Sequence, residues 1–289
     1  MSILYLTHFL NGLLMIGMPL GLAFYLTRKF QQGWRLFWIG AATFIFSQVL
    51  HIPFNALVSP VFSQFGFIAL PVMVQSLISA VFLGLSAGIF EELSRYGMYR
   101  WIAKDARSWG RGLLAGAGHG GAEAIILGAL ALYAYIQYAS LRYADLAAIL
   151  PNGQLDAARA QINAYWSVPW YLSMLGGVER LFTIPIELAC SLLVLQTFTR
   201  KQFWWVGLAI LYHALVDGVS VIAVAIKIPA LGIEGIIGIF AIASLAIIYA
   251  LRSREPSEEK IPYQPVAVPE FYPKPVNETI ENLDKTRYQ

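Results

Sequence analysis

GLLAGAGHGGAEAIILGALALYAYIQY, residues 112–138, carries two ionisable side chains other than tyrosine, His119 and Glu123, in an otherwise apolar run. As a helix rising 1.5 Å per residue it covers about 40 Å, more than the roughly 30 Å of a bilayer's hydrocarbon core. Entered from Arg111, it holds His119 at about 12 Å and Glu123 at about 18 Å, on one face because they are four residues apart. Gly116, Gly118, Gly120 and Gly121 surround the histidine and let a neighbouring helix or a substrate backbone come close.

Six further apolar runs are long enough to span, so the chain reads as an all-α, polytopic bundle of seven transmembrane helices: about 3–27, 36–58, 67–94, 112–138, 168–198, 203–226 and 230–251. With 58% hydrophobic and only 13% charged residues, and a mean hydropathy of +0.61, an ordinary soluble domain is excluded. The short alternating segments of a β-barrel are absent. Residues 1–251 are expected to form the bundle, with its motif-bearing core at about 67–226. Residues 252–289, with six prolines and mixed charge, read as a flexible tail.

Lys and Arg collect after helices 1, 3, 5 and 7 (Arg28, Lys29, Arg35; Arg100, Lys104, Arg107, Arg111; Arg200, Lys201; Arg252, Arg254). The opposite loops carry only Arg142, Arg159 and Lys227, which sets the N-terminus outside and the tail in the cytoplasm of a multi-pass cell-membrane protein. The net charge of +3 then reflects loops meeting anionic lipid, and nucleic acid is not an implied partner. Asn277-Glu278-Thr279 matches a glycosylation acceptor by chance on that topology. The loop 140–167 is expected to cover a cavity mouth or hold a short surface helix.

Charged residues inside spans are costly and mark function. On helix 3, Glu91 and Glu92 both lie within reach of Arg95, so one can pair with it while the other faces elsewhere. Helix 5 carries Glu179, Arg180 and Glu187 around Pro185, with both acids able to border one cavity and Arg180 expected in a structural ion pair. On helix 6, His213 and Asp217 are four apart; the Asp can fix the imidazole tautomer or act directly. His8, His51 and Glu234 read as satisfied or interfacial, and Cys190 as a packed small residue. Glu91, His119 and His213 share a depth of roughly 12–15 Å. Lining a cavity that opens toward the cytoplasmic half, they can polarise water and stabilise an oxyanion, or hold zinc with an open fourth position.

The motifs Glu91-Glu92-Leu93-Ser94-Arg95, Gly118-His119-Gly120-Gly121-Ala122-Glu123 and His213-Ala214-Leu215-Val216-Asp217 resemble the YhfC family of glutamic-type intramembrane proteases. That family sits in a larger group with the CAAX prenyl endopeptidases, the PrsW proteases and the scaffold subunit of gamma-secretase. The resemblance implies that Glu91 or Glu92 is the base on a water also held by His119, with His213 and Asp217 forming the oxyanion pocket. Arg95, Glu123, Glu179, Arg180 and Glu187 would bind substrate or support the polar core. Where the Glu179-Arg180 pair is expected to be followed by a third histidine, this chain has Glu187. The cofactor is none or zinc, held in the latter case by Glu91, His119, His213 and possibly Glu187. The implied partners are membrane lipids and a membrane-embedded or lipid-modified peptide substrate. The competing readings are a non-catalytic scaffold and a transporter, proton relay or haem binder.

Overall fold

The computed structural model describes residues 3–64 and 66–253. Among them there is no strand, and seven helices are long and apolar enough to cross a membrane. In chain order the helices are α1 (Ile3–Lys29), α2 (Arg35–Gln64), α3 (Val72–Gly97), α4 (Trp109–Leu141), the short α5 (Leu146–Ile149), α6 (Leu155–Ser167), α7 (Leu175–Thr199), α8 (Trp204–Ala225) and α9 (Ala230–Ala250). The protein is a multi-pass, all-helical membrane protein. Beyond Ser253, the expected tail and its Asn277 triplet lie outside the described residues.

Proline sets several boundaries. Pro71 precedes α3 and Pro229 precedes α9, where a missing N–H costs nothing. The run expected at 67–94 therefore divides: Phe67–Ala69 form a separate 3-10 turn after Gly66, whose φ of 73° is left-handed. At its other end α3 passes into a π turn, Met98–Ile102, so the span reaches further than expected. The fifth run begins at Leu172, after Pro169, rather than at 168. Ser108 caps α4 by accepting from the Arg111 N–H.

Helices α2, α4, α7, α8 and α3 each pack on the next and close a ring, with α1 outside against α4 and α7 and α9 outside against α7 and α8. Glycines allow the closest crossings. A Cβ on Gly118 would fall on the Phe37 carbonyl, and one on Gly40 on the Ala115 carbonyl, so α2 and α4 touch backbone to backbone. Gly84 and Gly88 of α3 meet the Ala214 and Ile210 carbonyls of α8 in the same way, which brings His213 against the acidic face of α3.

At the end bearing Arg35, Arg107 and Arg111, the bundle is filled by Phe37, Tyr99, Leu114, Leu192, Leu195 and Val206. Asp105 ties this end together, bonding both oxygens to Arg35 at 3.1 and 2.9 Å. That hydrogen bond, ahead of all else, holds the Asp105 carboxyl below its usual range. At the opposite end α6 packs through Ile162 and Trp166 onto Leu4 of α1, and the Trp166 indole donates to the Tyr138 carbonyl of α4 at 3.1 Å. The 140–167 segment does hold a surface helix, and it covers α1 and α4.

Candidate active site

Inside the ring, Arg95 is fully buried and is the hub of the polar core. One guanidinium nitrogen donates to Glu92 and the other to Glu187 of α7, while Glu91 stays 3.9 Å away. The pairing left open by the sequence therefore goes to Glu92. Glu91 is turned elsewhere: its Oε2 lies 3.0 Å from His119 Nε2 and its Oε1 accepts from Gln48 Nε2 of α2 at 2.9 Å.

His213 Nδ1 is 2.7 Å from Glu92 Oε1. An ionised carboxylate only accepts, so Nδ1 is the donor and Nε2 is the nitrogen free for chemistry. Asp217 Oδ2 stands 3.6 Å from that Nε2, beyond hydrogen-bond reach. The expected tautomer partner on the same helix is thus replaced by Glu92 across the ring, because adjacent turns of α8 do not bring Asp217 close enough.

The ligating atoms sort into two groups, each within 4.8 Å of one another: Glu91, His119 and Glu187, and separately Glu92, Cys190 and His213. The expected zinc set therefore divides: Glu187, expected as a possible fourth donor, groups with Glu91 and His119, and His213 lies in the other group. Equal depth along separate helices did not bring both imidazoles to one point. Cys190, read as packing only, sits beside His213.

A cavity of about 940 Å³ opens from this cluster. Glu91, Glu187, His213 and Asp217 border it, and it runs on past Pro53, Glu123, Glu179 and Ser220. Counted along their helices, these last residues lie about 18–30 Å from the basic end. The cavity therefore extends away from that end, contrary to the expectation that it opens toward the basic, cytoplasmic half, because Tyr99, Leu114 and Leu192 fill the core there. His119 is buried behind the wall and reaches the cavity through Glu91.

Farther out, Arg180 binds Glu123 at 2.7 Å and also Glu179, the structural ion pair expected of it. Glu123 thus turns to Arg180 rather than joining His119. Glu234, expected to be satisfied or interfacial, lies near the start of α9 and is buried with its Oε2 unpartnered. Gln48, given no role from the sequence, bonds Glu91, and His51, read as satisfied or interfacial, lines the cavity. Their spacing of three on one helix face was the available signal.

Do these residues suit a metal ion? The buried core holds three carboxylates, Glu91, Glu92 and Glu187, against one guanidinium, Arg95. With the carboxyls ionised and the His119 and His213 imidazoles neutral, two negative charges are left over, which a divalent cation balances. Glu91, His119 and Glu187 offer two oxygens and an imidazole from three helices, a donor set zinc accepts with a position left open. The residues fit.

A sequence model of one family, described as "YhfC intramembrane metalloprotease", matches residues 14–241. The "Uncharacterized membrane protein YhfC" of Bacillus subtilis (strain 168) is 34% identical over 209 residues, which cover 71% of this chain and 80% of that protein. No solved structure matches the chain. The chain belongs to the YhfC family.

Proposed function

We propose that this YhfC-family protein is a zinc-dependent intramembrane endopeptidase that hydrolyses a peptide bond of a membrane-embedded or lipid-modified peptide. The observation that carries this reading is the pairing of a three-donor set, Glu91, His119 and Glu187, with a cavity-facing imidazole that is itself oriented by a buried acid. The family's description supports the metal. The wider kinship with CAAX prenyl endopeptidases is supported by the Glu-Glu-x-x-Arg and His-x-x-x-Asp motifs, and a cytoplasmic location of the basic end is supported by its loop charges.

Zinc held by the three donors supplies a Lewis acid and a more acidic water. The protein's own residues do the rest. His213 Nε2 accepts the proton of the attacking water as the water oxygen bonds to the scissile carbonyl carbon. Glu92 holds the ring through Nδ1 and stabilises the imidazolium, the arrangement of a base oriented by a carboxylate. His213 then gives that proton to the peptide nitrogen, the C–N bond breaks, and the new carboxyl's remaining proton passes to the amine, so a carboxylate and an ammonium leave. Asp217 faces the same space and stabilises the charged ring at longer range. Arg95 fixes Glu92 and Glu187 relative to each other.

The test is fragment release from an apolar peptide by the purified protein in lipid vesicles. His213→Gln keeps hydrogen bonding but loses proton acceptance, so cleavage should fall about 10²–10⁴-fold. Unchanged cleavage in that variant would sink the assigned role. Failure of the native protein to cleave any membrane peptide would favour the scaffold reading.

A further inference from the structure

We infer that the cavity face of α2, from Gln48 to Pro53, is a subsite that holds the substrate's backbone in an extended form. The inference rests on the endopeptidase reading and adds to it where the peptide lies. Gln48, Val49, His51 and Pro53 all border the cavity. Gln48 bonds Glu91, so this face starts at one of the three proposed zinc donors.

His51 is fastened on one side only. Its Nε2 lies 3.0 Å from Ser86 Oγ and 2.8 Å from Asn55 Nδ2, and its ring stacks on Phe90 with centroids 5.6 Å apart. Its other nitrogen, Nδ1, is buried and has no hydrogen-bond partner. A packing histidine would not leave a buried nitrogen unmatched, which is destabilising. Pro53 adds an acceptor to the same face. Without an N–H it cannot bond the Val49 carbonyl four residues back, and that carbonyl is left without its helical donor.

A peptide in hydrocarbon keeps its backbone bonded within a helix, and unwinding it exposes N–H and C=O groups at high cost. The scissile carbonyl is reached only once the peptide is unwound. A wall with an unmatched imidazole nitrogen, beside a carbonyl that lacks its helical donor, compensates that loss. Gln48 and His51 are about 4.5 Å apart along α2, less than two residues of extended chain at about 3.3 Å each, so one short stretch meets both Glu91 and His51.

The test uses the full chain in phosphatidylcholine–phosphatidylglycerol vesicles and a fluorescent peptide of about 20 apolar residues with a central Gly-Ser pair. Binding is read in a Glu91→Gln background, where the peptide survives. His51→Phe keeps the ring against Phe90 but removes both nitrogens; Pro53→Ala returns an N–H to the helix. Each should raise Kd about fivefold, the loss of roughly one hydrogen bond. Pro53→Ala should do so with an unchanged or raised Tm, which separates lost binding from unfolding. Replacing single peptide amides by esters should weaken binding at one or two positions in the parent and add nothing in the variants. Equal Kd values, or ester penalties that persist in both variants, would overturn the subsite, and cleavage by the His51 variant at full rate would leave the endopeptidase reading standing. Binding through His51 with no cleavage by native protein would keep the subsite and overturn the protease. Absence of binding to the parent would overturn both.

Discussion

Glu91 and Glu92 are consecutive in the chain yet serve different histidines: Glu91 Oε2 lies 3.0 Å from His119 Nε2, and Glu92 Oε1 lies 2.7 Å from His213 Nδ1. A helix turns about 100° per residue, so the pair faces two walls of the ring at once. The first carboxylate borders the cavity and the second is sealed behind it with Arg95.

The two should therefore fail differently. Glu91→Gln should keep its fold and lose cleavage by about 10²-fold or more. Glu92→Gln leaves Arg95 short of a partner and His213 without its acceptor, so it should lose about 3–5 kcal/mol of stability as well. Thermal unfolding in detergent beside the cleavage assay distinguishes them; equal Tm values would contradict the division.

Arg95→Lys should be poorly tolerated. The guanidinium reaches Glu92 and Glu187 through two separate nitrogens, and a single ammonium cannot span both. We expect low expression and a lowered Tm, together with weaker zinc retention because Glu187 is released. A Lys variant with native Tm and zinc content would show that the bridge is dispensable.

Glycine substitutions in α4 grade the effect by what each Cβ meets. At Gly120 it would lie 2.6 Å from Glu187 Cβ, displacing a proposed ligand. Gly118→Ala pushes against the Phe37 backbone, which cannot move aside, and should destabilise the α2–α4 crossing more. Gly207, with nothing within 4 Å, serves as a control that should change little. Gly120→Ala should thus lose zinc before it loses its fold, as zinc content against Tm would show.

How much of this was legible beforehand differs between the fold and the site. The spans could be read because hydrocarbon demands long apolar helices, and Arg95, His119 and Glu92 stood out because charge there is costly. Depth was legible too, since it follows from counting residues. Rotation of one helix against another was not: Glu187 is 92 residues from Arg95, and nothing local tells that they meet. Gln48 was given no role, and His51 was read as satisfied or interfacial, because uncharged or lone polar residues in a span carry little signal until their neighbours are known.

The Asp105 pair gives a pH expectation outside the membrane. Arg35 holds this carboxyl below its usual range, so the pair stabilises the fold above the unfolded value of about 3.9 and that contribution is lost as pH falls through the folded value. The pair is half exposed, so Asp105→Asn should cost under about 1 kcal/mol at pH 7, and the gap to native protein should close in acid. Unfolding curves showing the gap widening below about pH 4 would reverse the sign of the argument.

Zinc-dependent proteolysis is measured as fragment release from an apolar peptide after the purified protein has been stripped of metal and refilled with zinc in vesicles. The expected result is no cleavage when stripped, recovery with stoichiometric zinc, and no recovery in His119→Ala or Glu187→Gln. Full-rate cleavage by the stripped protein, or zinc-restored cleavage by His119→Ala, would contradict it.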